Sequence, residues 1–312
     1  MKVLLPIIYH DLTHCIARAF EEEGHEVLVV DWRNTSATSR SLVSREIIAA
    51  AKDFRPDLAF CQFQAPGIIT PQVPQALKDV GCFSINWSGD VRHPLPAWYR
   101  DLAPYFDVTS FTNVPDVEEI RAMGHRAEFL QIGYDERLYN PPPPDTPRSG
   151  VVFIGNNYGG YKFAESNGRR TMVKAMCEAF PDRFKVYGMS WEGIVPEANH
   201  GGYVREPSDA DILRRASVAV GFDHFHRAGF ASDRLLRAAA CGCAVVNQYY
   251  EGIEQEHPYV RSSHTIEGMV EAVRTLLEDE AAARMEGDLN AANTLHEHRW
   301  NNRVNQMIQW VK

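Results

Sequence analysis

The sequence is short of several things, and each shortage narrows what the chain does. Its 312 residues hold no run of about eighteen apolar residues, so no transmembrane helix is expected. The opening MKVLLPIIYHDL has neither the long apolar core nor the small-residue cleavage site of a secretory signal, which predicts a cytoplasmic protein. Positive charge is not in excess: 32 Lys and Arg against 41 Asp and Glu give a formal charge of −9. That balance supplies no overall field for a polyanion, although one local basic groove remains compatible with it. The six cysteines (Cys15, Cys61, Cys82, Cys177, Cys241 and Cys243) form no C-x-x-C pair, and Cys241 and Cys243 lie too close together for a zinc knuckle. They read as buried, reduced thiols. No G-x-G-x-x-G follows a strand and no Walker lysine is present, which removes support for dinucleotide oxidoreductases and P-loop enzymes. His10 and His14 have helical spacing but lack the glutamate of H-E-x-x-H, so they are no zincin signature and read as cleft-facing loop and first-turn residues.

What is present is an ordinary globular composition, 45% apolar and 23% charged, in a chain long enough for two domains. Apolar runs alternate with amphipathic stretches from the first residue, the mark of parallel sheets covered by helices. Strands are expected at 3–8, 26–31, 58–63, 82–87, 108–112 and 127–132, with helices at 12–23, 44–52, 74–80 and 117–123. Four consecutive prolines in the 140–147 stretch suit a stiff polyproline II spacer. Beyond it the rhythm restarts, with strands at 151–154, 184–187, 218–222 and 244–247 and helices at 169–180, 209–215 and 233–240. The tail from Ile266 is helical, and its last segment, 298–311, carries Trp300, Val304, Ile308 and Trp310 as a docking face. The expected class is α/β: two Rossmann-like, doubly wound domains facing a cleft. The boundaries are an N-terminal domain over 1–140, a linker over 141–149, a C-terminal domain over 150–297, and a helix over 298–312 that crosses back to the first domain.

In open parallel sheets ligands bind beyond the carboxyl ends of the strands, so chemistry belongs to the loops after strands. The loop after 151–154 holds Gly155, Asn156, Asn157, Tyr158, Gly159 and Gly160, fit to wrap a phosphate or a sugar, or to be a flexible turn. At the start of the 233–240 helix, Ser232 and Arg234 stand where unpaired N–H groups and a positive dipole favour a diphosphate. The plainer reading makes Ser232 a cap and Arg234 a surface ion pair. After the strand at 82–87, Asp90 and His93 project from a loop, Asp90 as a base for an acceptor hydroxyl or as a turn aspartate. His224 and His226 fall on one side if extended, as a metal pair or, with no carboxylate set at a familiar spacing, as sugar contacts. Lys162, Arg169, Arg170, Lys174, Arg214 and Arg215 line a groove or decorate solvated helix faces.

These residues resemble the GT-B glycosyltransferases, and within them the CgeB-like (spore-maturation protein, glycosyltransferase family 1-like) branch. The resemblance is carried by Val152 to Gly155, by Lys185 to Gly188 with Trp191, by Ser232-x-Arg234 running into Ala240-Cys241-Gly242, and by Trp300-x-x-Arg303. Over 1–140 it is thinner, resting on residues 24–27, 55–57 and 86–90. It implies sugar transfer from a nucleoside diphosphate sugar to a hydroxyl, with no obligatory cofactor or metal. By the resemblance Gly155, Asn156, Tyr187, Gly188, Trp191, Ser232 and Arg234 bind the donor, and Arg234 also assists departure of the diphosphate. Asp90 matches an acidic position after the corresponding strand. Where relatives place an aromatic and a glutamate after Ser-x-Arg, this chain has Leu236 and Arg237, so Glu251 or Glu254 becomes the candidate for the ribose. His10, Asp90, His93 and His224 are the acceptor-side candidates. The acceptor implied is a glycan, a protein, a small molecule or hydroxymethylated DNA; a non-catalytic nucleotide-sugar-binding protein and a sugar-nucleotide epimerase are the rival readings.

Overall fold

The computed structural model describes residues 1–8, 14–90, 92–160 and 162–311, of 36–38 the backbone alone. The chain divides into two compact units, Met1–Ile132 together with Trp300–Lys312, and Gly133–Arg299. Each is built on one six-stranded, all-parallel sheet.

In the first unit the strands are β1 (Lys2–Ile7), β2 (Glu26–Asp31), β3 (Leu58–Cys61), β4 (Phe83–Ser88), β5 (Val108–Phe111) and β6 (Ala127–Phe129), in the order β2-β1-β3-β4-β5-β6. The helices are α1 (His14–Glu22), α2 (Trp32–Thr38), α3 (Arg40–Phe54), α4 (Gln72–Asp79), α5 (Ala97–Leu102) and α6 (Val114–Ala122). Alternate residues of one strand feed two cores: Val3, Leu5 and Ile7 pack with Phe20, Phe60 and Trp87, while Leu4 packs with Val43, Ile47 and Leu77. A sheet buried on both faces in this way must read as a continuous apolar run, as β1 does.

In the second unit the strands are β7 (Val151–Ile154), β8 (Phe184–Tyr187), β9 (His200–Gly202), β10 (Val218–Gly221), β11 (Ala244–Gln248) and β12 (Arg261–Ser263), ordered β12-β11-β10-β7-β8-β9. Its helices are α7 (Ser166–Ala179), α8 (Asp209–Arg215), α9 (Asp233–Ala240), α10 (Ile253–Glu256), α11 (Ile266–Glu278) and α12 (Glu280–Glu297). The winding reverses between β7 and β10, the topological switch point at which such sheets bind ligands.

The last helix, α13 (Trp300–Val311), belongs to the first unit although all of the second precedes it. Trp300, Val304 and Met307 lie on one face, and Trp300 sets its ring edge-on to Trp87 with centroids 5.4 Å apart. The division between units falls after Ile132, earlier than the proline-rich stretch, which lies within the second unit. Three arginines hold that stretch there. Arg214 donates to the carbonyls of Leu138 and Asn140 (2.7 and 3.1 Å), Arg284 to those of Pro144 and Thr146 (2.5 and 3.1 Å), and Arg148 to that of Gly242. Prolines leave carbonyls without a ladder partner, and guanidinium forks supply one.

Other differences from the sequence expectation are local. Asp31, expected to end a strand, also accepts a bond from Arg33 N and so starts α2 at once. Asp279 accepts from Ala282 N and restarts the helical tail as α12. Strands β9 and β12 are three residues each, too short for a period-two pattern to register.

Candidate functional site

At the switch point of the second unit three loops interlock. Gly155 N donates to Tyr187 O (2.8 Å), Asn157 N to Met189 O (3.0 Å), and Met189 N to the Asn156 side-chain oxygen (2.9 Å), joining the loop after β7 to the loop after β8. Gly188 sits at φ +140°, and a Cβ there would lie 2.3 Å from Gly155 O, so this crossing requires glycine. Trp191 is fully buried: its Nε1–H donates to Gly155 O (2.7 Å) and its ring packs edge-on to Phe153. Its structural part is to fix Gly155. Tyr187 is half-buried, with its ring over Gly201.

The third loop follows β10. Arg169, in the first turn of α7, is 1% exposed and reaches under it. Its Nε donates to Phe222 O (2.9 Å), and its Nη1 to Asn156 O (3.3 Å) and to the His224 ring nitrogen Nε2 (2.6 Å). Asp223, 5% exposed, accepts from Arg234 Nη2 at 2.9 Å. Asn156, Arg169, His224, Asp223 and Arg234 thus form one connected assembly from the loop after β7, α7, the loop after β10 and the first turn of α9. It contains two guanidinium groups and one carboxylate. Burial first, and then Arg234, lower the pKa of Arg169 to about 8, the signature of a buried cation short of anions. Burial together with Arg169, Arg234 and Lys162 lowers that of His224 to about 3, so its imidazole is neutral at physiological pH.

The bonding is also incomplete. Arg169 Nη2, His224 Nδ1, Asn247 Oδ1 and Tyr250 Oη are buried without a partner among the described residues. His224, Asn247 and Tyr250 lie at or beyond the carboxyl ends of β10 and β11, and Arg169 bonds to the first of them. Each such group costs about 1–3 kcal/mol when left unmade, so each favours a polar partner from outside the chain. Asn247 lies over Gly221, its oxygen 1.8 Å from where a Cβ would stand.

Around this centre, Ser232 is the N-cap residue of α9 and makes no capping bond, leaving the first N–H groups of the helix without that acceptor. Arg237 is 5% exposed and pairs with Asp209 (2.9 Å), Glu206 and Asp233; Tyr139 Oη donates to Asp209 (2.8 Å). Where the resemblance expects a glutamate, the chain therefore has a guanidinium consumed by three carboxylates. Glu254 is exposed in the single turn of α10. Asp90 and His93 lie in the first unit, Asp90 exposed and 3.6 Å from Arg92, and His10 falls outside the described residues. Trp87 is core, its Nε1–H donating to Leu130 O (2.9 Å). Among the described residues no cluster of three or more His, Cys, Asp and Glu side chains suits a metal ion, and no helix is long and apolar enough to cross a membrane.

The residue that sequence reasoning missed is Arg169, counted among cations of a solvated helix face. Its spacing held the signal. Arg169, Met172, Val173 and Met176 follow the i, i+3, i+4, i+7 pattern of a buried stripe, and all four are buried.

Comparison with known proteins agrees with this architecture. Residues 169–309 match a protein family described as glycosyl transferase-like. Among solved structures, the chain is similar to a sucrose-phosphate synthase from Thermosynechococcus elongatus (14% identity, 99% of this chain and 97% of that one, TM-score 0.69). It is also similar to a glycosyltransferase from Rickettsia africae (8% identity, 100% and 97%, TM-score 0.70) and to Anabaena HepE in complex with UDP-glucose (10% identity, 99% of each chain, TM-score 0.66). No curated protein sequence matches. The fold is that of the GT-B glycosyltransferases.

Proposed function

We propose that the protein is a glycosyltransferase of the CgeB-like branch that moves a hexosyl or pentosyl group from a nucleoside diphosphate sugar to a hydroxyl acceptor, without an obligatory metal. The observation that carries this reading is the excess of positive charge at the switch point: buried Arg169 and half-buried Arg234 against Asp223 alone, with N–H groups left unpaired. A diphosphate supplies both the charge and the acceptor oxygens. The HepE structure that resembles this chain binds UDP-glucose, which favours donors of that kind.

In this reading Arg169, Arg234, Ser232 and the amino end of α9 hold the diphosphate, and Gly155 and Asn156 bring backbone close to it. Tyr187 and Gly188 flank the nucleoside, Trp191 keeps their loop in register, and Glu254 takes the ribose hydroxyls. As the bond from the anomeric carbon to the diphosphate oxygen breaks, negative charge grows on that oxygen, and fixed cations stabilise it more than they stabilise the bound donor. Asp90 accepts the proton of the acceptor hydroxyl, while His10 and His93 contact the acceptor. The leaving group is thus neutralised by guanidinium groups and a helix terminus.

The test is calorimetric binding of UDP, GDP, TDP, CDP and ADP and their sugar conjugates, followed by assay for release of free nucleoside diphosphate. One nucleotide is expected to bind preferentially, with Arg234→Ala weakening it and slowing turnover. Absence of binding by every nucleotide overturns the reading; binding without release under any acceptor reduces it to a nucleotide-sugar-binding protein.

A further inference from the structure

If the second unit holds a diphosphate, His224 takes part in holding it. His224 follows β10, and its ring Nε2 stands 2.6 Å from Arg169 Nη1. A guanidinium nitrogen only donates, so Nε2 is the acceptor, the imidazole is neutral, and its single proton sits on Nδ1. That Nδ1–H is buried and meets no acceptor among the described residues. Arg169, a residue only 1% exposed, has its Nη2 in the same condition. Two unspent N–H donors therefore sit on two side chains bonded to each other, beside a net positive charge. The rings of Tyr158 and Phe163 stand 4.6 and 4.9 Å from the imidazole, and both come from the loop that contains Gly159 and Gly160.

We propose that His224 is a hydrogen-bond donor locked in the Nδ1–H tautomer by Arg169, and that the two together bind phosphoryl oxygen of the donor diphosphate. This moves His224 from the acceptor side to the leaving group. A phosphoryl oxygen brings lone pairs and no proton of its own, which is what two converging donors require. The glycines at 159 and 160 let the Tyr158 and Phe163 loop yield as the oxygen enters.

Two isosteres separate this role from simple bracing of Arg169. In His224→Asn the amide nitrogen takes the place of Nδ1 and still donates, but the side chain is too short to accept from Arg169. In His224→Gln the amide oxygen reaches the place of Nε2 and accepts from Arg169, but nothing donates at Nδ1. Titration of inorganic pyrophosphate into the full chain is expected to give an affinity within about threefold of the original for Asn and about tenfold or more weaker for Gln. Equal binding by both variants, or the reverse order that bracing demands, overturns the assignment. Ring nitrogen NMR of the unsubstituted protein decides the matter independently of how the variants fold. The Nδ1–H tautomer is expected before ligand is added, with a downfield move of that proton on adding pyrophosphate; an Nε2–H tautomer or an unmoved resonance overturns it. An unsubstituted protein that binds neither pyrophosphate nor any nucleoside diphosphate overturns the functional reading beneath it instead.

Discussion

The two units are built on the same plan and finish their strand ends differently. In the first, amides at the carboxyl ends are tied to backbone: Gln62 Oε1 accepts from Ile8 N (3.1 Å) and Asn86 Oδ1 from Phe63 N (3.1 Å). In the second, the corresponding edge holds cations in excess and donors without acceptors. Six parallel strands with helices on both faces fix where a ligand goes, and the side chains at the edge fix its charge. At these edges the first unit offers neutral hydrogen-bonding groups, and the second an excess of positive charge with unpartnered N–H groups.

The largest effect expected is on the core of the first unit. Trp300→Ala removes a ring that α13 lays against Trp87 and Phe60, and should lower stability by about 3–5 kcal/mol, measured by denaturant unfolding. Pyrophosphate affinity should be unchanged in the folded fraction; a parallel loss would erase the distinction between the units.

Arg169→Ala tests the other half of the comparison. It deletes the buried cation and should weaken pyrophosphate binding by about 2–4 kcal/mol in titration calorimetry. Unaltered affinity would leave the second unit no more an anion receptor than the first. Gly188→Ala forces a Cβ against Gly155 O and should cost about 2 kcal/mol of stability with roughly tenfold weaker nucleotide binding, since both interlocked loops must separate.

Acidity gives a smaller, signed effect. The folded protein keeps His224 neutral down to about pH 3, whereas an unfolded chain protonates it near the ordinary value of 6.5. Between these values the unfolded state binds the extra proton, so stability falls as pH drops from about 6.5 toward 3. His224→Gln should flatten that part of a stability–pH curve, and an unchanged slope would show that the ring is charged in the fold. Asp90→Asn, finally, should depress kcat while leaving nucleotide affinity alone, because Asp90 belongs to the first unit.

Most of the fold was legible because a strand buried on both faces leaves a compositional trace. Runs such as residues 3–7 and 244–246 are apolar throughout, and Gly24, Gly124 and Gly242 stop helices with positive φ. The loop after β7, with Gly155 and Asn156, was legible as a candidate because glycine and asparagine collect where backbone must come close, whereas Tyr187 and Gly188 were candidates through the family resemblance alone. Less legible was what each side chain does. Trp191 carries an aromatic ring at a plausible ligand position, yet its Nε1–H is spent on Gly155 O and its face on Phe153. Arg237 and Arg234 stand three residues apart on one short helix; one is neutralised by three carboxylates from α8, α9 and the preceding loop, the other by Asp223 alone. Sequence separation hides such pairings, since Glu206 and Arg237 lie 31 residues apart.

The sequence by itself determined the alternation of strand and helix, the doubling of the plan, and which loops fall at strand ends, because local propensity and burial periodicity act over a few residues. The tertiary structure alone decided that Arg169 is inside, that His224 takes its hydrogen bond on Nε2, and that the proline-rich stretch is anchored to the second unit. Those outcomes depend on which distant groups share a small volume of low polarity, where a charge or an N–H left without a partner is costly and its partner can come from anywhere along the chain.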